Sequence, residues 1–456
     1  MQQPWRTGRS NPRLSRSIGI LTAGLLLCAG AAARSQATVP HTTIVHAGRL
    51  LDRPGQASRG PSSIVIVDGR ISEITAGFLD RPGATVIDLR DRFVLPGLID
   101  SHVHISFEFT PALRTAFAER DPADFALAGA AYAGKTLQAG FTTVRDLGSP
   151  SGVALALRDA IEVGRIAGPT ILAAGQMISA TAGHADLRGF NALAAQAASS
   201  GYLGVACDGP SECMKRVREQ AKAGADVIKL AVTGGVLSES KAGLSLQMDG
   251  AELAAAVSAA RQQGLPVAIH AHSKAGIEAA IAAGVDSIEH GSFLDDQSAA
   301  LVQRSGAFLV PTLTAVTGAA EQARAGRLSA PMAAKALSAD QAARKGVAIA
   351  VRNGIPIAFG TDSGITPHGQ NAREFALLVA AGLSPAEAVA SATTNAASLL
   401  GRSDRIGSVE VGKDADLIAV ANDPTVDVEA LGKIEFVMRR GIVHRIGGRP
   451  MAFIAR

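Results

Sequence analysis

The chain has 456 residues, with aromatics at 4%, 49 glycines and a formal charge of +4. That length exceeds one small domain and suits a large α/β domain of roughly 250–300 residues with a smaller companion. The composition excludes the disordered and fibrous classes.

The first element is a leader. Residues 1–17 hold Arg6, Arg9, Arg13 and Arg16 and no acid, and the apolar run IGILTAGLLLCAGAAA follows over 18–33. Small residues then offer cleavage points after Ala33 or Ala37. This three-part pattern predicts a secretory signal peptide over 1–37, and hence an exported protein, periplasmic or secreted. The apolar run falls short of the ~20 residues of a membrane span, and no second candidate follows. An uncleaved N-terminal anchor is the alternative. Loss of the leader removes five of the 44 basic residues, leaving 39 against 40 acidic ones. A near-neutral mature chain gives no case for nucleic acid or an anionic membrane as partner.

Residues 41–95 read as short strands. HTTIVHAGRLL leads to SSIVIVDGRISEI, where DGR (68–70) turns a hairpin, and TVIDLRDRFVLPG follows. The same texture returns in DADLIAVAN (414–422) and KIEFVMRRGIVHRI (433–446). The two β-rich ends, 41–95 and 405–450, are expected to pair into one small β-sandwich domain.

Between them, over 96–400, apolar runs alternate with alanine-rich amphipathic segments. The runs are GLIDSHVH (97–104), FTTVRDL (141–147), PTILAAGQ (169–176), DVIKLAV (226–232), LPVAIHAH (265–272), VDSIEH (285–290), AFLVPTL (307–313) and IPIAFGTD (355–362). Eight such β-then-α units predict a (β/α)8 barrel of TIM type, with catalytic groups at the C-terminal ends of its strands. The Gly/Ala-rich stretch 177–205 reads as a long loop shaping the mouth. Cys207 and Cys213, close together in CDGPSEC, read in an exported protein as a disulfide, or else as two free buried thiols.

The ionisable residues that stand out lie where strands end. His102 and His104 are two apart, so both point the same way, and His270 and His272 repeat the spacing. His290 ends the sixth run, Asp362 ends the eighth, and Lys229 lies inside the fourth. A lone histidine is usually a satisfied core residue. Five converging with a lysine and an aspartate point to a site, because so many polar groups in one barrel mouth would otherwise lack partners. His and Asp are ligands for Zn²⁺ and similar ions, whereas an ammonium repels them. Burial lowers a lysine pKa, and a neutral amine reacts with CO₂ to give an anionic carbamate that can bridge two metals. The alternative is an ion pair. Asp226, three residues from Lys229 on a strand, faces the other side, which leaves Asp362.

PGLIDSHVH (96–104), FTTVRDLG (141–148), GADVIKLAVTGG (224–235), HAH (270–272), SIEHG (287–291), FGTDSG (359–364) and SVEVGKDADLIAV (408–420) together resemble the metal-dependent amidohydrolase superfamily. The similarity runs over about residues 42–450. It is strongest to the branch of Xaa-Pro dipeptidase-like and ochratoxin-amide-hydrolysing enzymes. The resemblance implies a binuclear zinc site, with His102, His104 and Asp362 on one metal, His270 and His290 on the other, and N6-carboxylated Lys229 between them. It leaves His272 outside the metal shell, for structure or substrate.

His184 matches a histidine that contacts the scissile carbonyl, or it is an ordinary loop residue. Arg145 is a candidate for a substrate carboxylate or a structural ion pair with Asp146, and His368 for the mouth. The implied reaction is hydrolysis of the amide of a dipeptide or N-acyl amino acid by a metal-activated hydroxide, with Asp362 moving the proton. A homo-oligomer is also implied. The rivals are an imidazolonepropionase-like cyclic amidohydrolase or a deaminase, which has no need of Lys229, and a non-catalytic metal-binding scaffold, which has no need of a complete ligand set.

Overall fold

The N-terminal β-rich stretch forms four strands, β1 (Thr42–Leu50), β2 (Ser62–Val67), β3 (Arg70–Ala76) and β4 (Thr85–Pro96). The computed structural model describes residues 42–110, 112–186, 202, 204–238 and 241–455. The expected leader and the middle of the 177–205 stretch lie outside the described residues. Asp68 (φ 49°) and Gly69 (φ 78°) both take left-handed backbone between β2 and β3. That is the requirement of the tight hairpin turn read from DGR.

The large parallel region follows. Strands β5 (Leu98–Val103), β6 (Phe141–Asp146) and β7 (Thr170–Ala173) form a parallel sheet in that order. Strands β8 (Met177–Ser179), β9 (Gly204–Ala206), β10 (Ile228–Ala231), β11 (Val267–Ala271), β12 (Ser287–His290) and β13 (Phe308–Val310) form a second sheet. Its order is β13-β12-β11-β10-β8-β9, and its neighbours run parallel. β8 and β9 correct the reading of 177–205 as one loop: both of its ends join the sheet. Three-residue strands in a Gly/Ala-rich stretch carry no readable period.

The two parallel sheets are linked. β7 and β8 are separated only by residues 174–176, with a bend at Gly175 (φ 73°). At the other side, residues 355–363 lie between β13 and β5. Leu309 pairs with Ile357, and Val103 with Ser363, both in parallel sense. The Ser101 amide donates to the Phe359 carbonyl at 2.8 Å, and the Asp362 amide to the His102 carbonyl at 2.7 Å.

Helices fill the intervals, as the alanine-rich segments predict. Asp249 and Asp295 accept the amides of Glu252 and Ser298 at the starts of helices Gly250–Gln262 and Asp296–Ser305. Left-handed Gly224, Gly284 and Gly306 end three helices just before strands. Parallel strands covered by helices are buried on both faces, which is why β10, β11 and β12 read as continuous apolar runs. Among the described residues, no helix is long and apolar enough to cross a membrane.

The C-terminal strands are β14 (Leu417–Val420), β15 (Phe436–Arg439), β16 (Ile442–Ile446) and β17 (Arg449–Pro450). β14 pairs with β4, so both chain ends enter one sheet of order β17-β16-β15-β14-β4-β1-β2-β3. Hydrogen bonding thus makes one continuous eight-stranded sheet from both chain ends. Its core holds Val45, Ile64, Val94, Leu417 and Phe436. The cysteines Cys207 and Cys213 form a disulfide, joining the end of β9 to helix Pro210–Ala223.

Candidate metal centre

His102, in β5, and His104, just past it, face Asp362 from the neighbouring extended segment. His102 Nε2 lies 3.5 Å and His104 Nε2 3.2 Å from Asp362 Oδ1. The opposite ring nitrogens are already used. His102 Nδ1 is 2.8 Å from Glu289 Oε2, and His104 Nδ1 is 2.7 Å from the Gly148 carbonyl oxygen. A carbonyl and a carboxylate can only accept, so each Nδ1 donates, and in its neutral form each ring aims its Nε2 lone pair at the Asp362 carboxylate. Asp362 Oδ1 is buried without a hydrogen-bond partner. Three electron-rich atoms therefore point at one another, an arrangement that needs a cation or a proton between them.

A second group stands beside the first. Ligand-capable atoms of His270, His272 and His290 lie within 4.8 Å of one another, as do those of His102, His104 and Asp362. The His102 and His290 rings are 5.2 Å apart. His290 Nδ1 is bonded to Thr312 Oγ1 at 2.6 Å and His272 Nδ1 to Ser292 Oγ at 2.9 Å. Such partners hold the ring orientation of a metal ligand. His290 (φ 72°), Thr312 (φ 50°) and Asp362 (φ 59°) adopt left-handed backbone that side-chain-bearing residues seldom take. Three such positions at one mouth mark a site where geometry is held against local preference.

Lys229 lines the same cavity as both groups. It is 1% exposed, and its Nζ has no hydrogen-bond partner. Burial lowers its pKa to about 8, although Glu289 and Asp362 pull the other way. The ion-pair alternatives fail on geometry. Asp226 accepts instead from the Ala173 amide and pairs with Arg158 at 2.9 Å, and Asp362 turns to the two histidines. Burial also holds His102 and His184 near 4 and His272 near 3, and carries His270 and His290 well below the usual histidine value. Burial alone would lower His104, but Asp362, Asp146 and the Gly148 carbonyl together carry it above its ordinary value. Neutral rings are the form that ligates a metal.

These groups open on a cavity of about 70 Å³. His102, His104, His184, Lys229, His270, His272, His290 and Asp362 line it, along with apolar Met177, Leu237, Ala315 and Val316. His184 stacks on His270 with ring centres 4.2 Å apart, and its Nδ1 is 2.5 Å from Ser238 Oγ. A larger cavity of about 610 Å³, by Glu162, Arg439 and Arg440, contains no such ligand set.

Two sequence expectations are corrected. Arg145 does not line the cavity of the histidines. It is 2% exposed, donates to the Ser101 carbonyl, and pairs with Glu289 at 2.9 Å, not with Asp146. His368 is also turned away. Its Nε2 meets the Phe107 carbonyl at 3.0 Å, and its ring stacks on Tyr132. His272, left outside the metal shell by the sequence reading, belongs to the same close group as His270 and His290.

Sequence reasoning missed Glu289, fully buried, which holds His102 with one oxygen and Arg145 with the other. The logic that singled out Lys229 would have found it: a lone charged residue in an apolar strand. Asp100 was also missed. It accepts the amides of His102 and Thr361, the Thr361 hydroxyl and the Asn371 side chain, and so ties β5 to the Asp362 segment.

The chain matches the amidohydrolase family over residues 93–446. Ochratoxinase of Aspergillus niger is 31% identical over 411 residues, covering 85% of this chain and 82% of that protein. A Xaa-Pro dipeptidase structure with methionine bound in its active site is 39% identical, with a TM-score of 0.82 over 89% of this chain and 100% of that one. A prolidase solved with N-methylphosphonate-L-proline is 30% identical, with a TM-score of 0.82 over the same shares.

Proposed function

The chain belongs to the amidohydrolase family and is a hydrolase of carbon–nitrogen bonds, and from that premise we propose that it cleaves the amide of a dipeptide or N-acyl amino acid at a binuclear metal centre. One observation carries the reading: two groups of metal-ligating side chains line one cavity together with a buried lysine amine that has no hydrogen-bond partner. His102, His104 and Asp362 would hold one divalent ion, and His270 and His290 the other. Lys229, if carboxylated on Nζ, would supply an anionic oxygen ligand to both, and His272 would serve the substrate side. The orphaned Nζ fits this assignment, since a carboxylate there would meet cations in place of nothing. Nitrogen and oxygen donors of this type suit zinc.

Two bound zinc ions supply Lewis acidity and an acidified water. The chain's own groups do the rest. With the Ser238 hydroxyl donating to His184 Nδ1, the neutral ring would carry its proton on Nε2 and donate it to the substrate carbonyl oxygen. Asp362 takes the proton of the attacking water and returns it to the leaving nitrogen. Met177, Leu237, Ala315 and Val316 exclude water around the scissile bond and favour an apolar residue beside it. Ochratoxin-type amides and dipeptides with an apolar residue both fit this wall.

We infer further that the links at β7–β8 and at 355–363 close the parallel strands into one (β/α)8 barrel over 96–400. The sheet of both chain ends is its companion domain. A leader over 1–37 would direct export to the periplasm or medium, and the family resemblance favours a homo-oligomer.

The test is an assay of released amino acid over a library of dipeptides and N-acyl amino acids, using zinc-loaded and chelator-treated protein. Zinc-loaded protein is expected to release amino acids, with preference for apolar residues, and chelation to abolish this reversibly. Ammonia release without amide cleavage, or no turnover of any amide, would contradict the reading.

A further inference from the structure

We propose that Lys335, on helix Ala330–Arg352, is a positioning residue that holds His184 against the metal centre. The inference rests on the role given to His184 above. After β10 the chain turns through Gly234 and Gly235 and comes back antiparallel. Thr233 bridges Leu246, and the Gly234 amide donates to the Ser245 carbonyl at 3.1 Å. This turn grips His184 at three points. Gln247 Oε1 accepts the His184 amide at 2.9 Å, Ser238 Oγ meets Nδ1 at 2.5 Å, and the imidazole lies directly on Gly235. A methyl group at Gly235 would lie 2.3 Å from ring atoms of His184, so a glycine is required for the approach.

Within the turn, the Gly235 carbonyl accepts the Ser238 amide at 3.2 Å. A second tie to the Gly235 and Ser238 carbonyls comes from outside it. Lys335 Nζ donates to both, at 2.9 Å to Gly235 and by a still shorter bond to Ser238. An ammonium has three donors and no acceptor, so two carbonyls and a half-buried stem suit it. Bonds from a charged donor are about twice as strong as neutral ones. The cation thus pins, from a different part of the fold, the two residues that orient and pack His184. The same pin sets Val236 and Leu237, which line the cavity. A misplacement of about 1 Å in a group facing the scissile bond is enough to cost roughly a hundredfold in rate.

The test compares Lys335→Met, Lys335→Arg, His184→Ala and the Lys335→Met/His184→Ala double variant, all zinc-loaded. Amide hydrogen exchange over residues 233–238 is followed by mass spectrometry, alongside kcat/KM. Lys335→Met is expected to speed exchange there and to lower kcat/KM at least about tenfold, by loss of two charge-assisted bonds. Lys335→Arg should recover most of both. In the His184→Ala background, Lys335→Met should cost less than about twofold more, since both changes act through one group. Unchanged exchange in Lys335→Met, or full additivity in the double variant, would overturn the proposal. Should the wild-type protein hydrolyse no amide, the proposed function fails by itself, and the exchange data still decide whether Lys335 pins the turn.

Discussion

Glu289 gives the most exacting prediction, because one carboxylate serves two tasks that can be separated. One oxygen neutralises Arg145 at 2.9 Å, and the other accepts from His102 Nδ1 at 2.8 Å. Arg145 is 2% and Glu289 0% exposed. Glu289→Leu leaves a buried guanidinium unpaired, at a cost of about 3–5 kcal/mol. It also frees the His102 ring, which should weaken metal binding by roughly 10–100-fold. Adding Arg145→Leu removes the stranded charge, so most of the lost stability should return while metal affinity stays low. Urea denaturation of the metal-free proteins reads the first effect, and competition with a chromophoric chelator reads the second.

A pH arm follows from the same group. Burial alone would raise the Glu289 pKa, but Arg145 and His102 bring it down from 4.5 to about 2. A depressed carboxylate stabilises the fold above its unfolded pKa, so this contribution should be whole above pH 4.5 and fade as the pH falls towards 2. A single variant that loses less than about 1 kcal/mol, or a double variant that regains metal affinity together with stability, would refute the reasoning.

Three further outcomes are expected. Lys229→Met should fold, since it trades an unpartnered buried amine for a thioether, yet bind only about one metal equivalent where wild type binds two; elemental analysis after dialysis reads this. His272→Ala should keep both equivalents while losing turnover, and loss of one equivalent would move His272 into the ligand set. Cys213→Ala removes a disulfide whose cysteines are six residues apart, which should lower stability by about 2 kcal/mol from chain entropy. An unchanged denaturation midpoint would contradict that.

Much of the site was legible because its residues break a local rule. His102 with His104 and His270 with His272 sit two apart at the ends of apolar runs, and Lys229 interrupts one. Strand periodicity alone then brings them to one end of the sheets. Glu289 obeys the same logic but is masked by its neighbour His290, which takes the attention in SIEH. Arg145 could not be placed from sequence. In a strand buried on both faces, alternation does not say which side meets the cavity and which the core. His368 lies six residues beyond Asp362, outside any strand, where spacing gives no direction. The partners that fix the rings were out of reach for another reason. Ser238 for His184, Thr312 for His290 and Gly148 for His104 come from other loops, and sequence carries no signal for contacts of that kind. The short β8 and β9 failed for lack of length.

The most direct measurement is anomalous diffraction at the zinc edge from crystals of the zinc-reconstituted protein grown with bicarbonate. Two peaks are expected, one enclosed by His102, His104 and Asp362 and one by His270 and His290, with continuous density from Lys229 Nζ to a carboxylate touching both. A single peak, or a Lys229 side chain ending in a bare amine, would contradict a centre bridged through that residue.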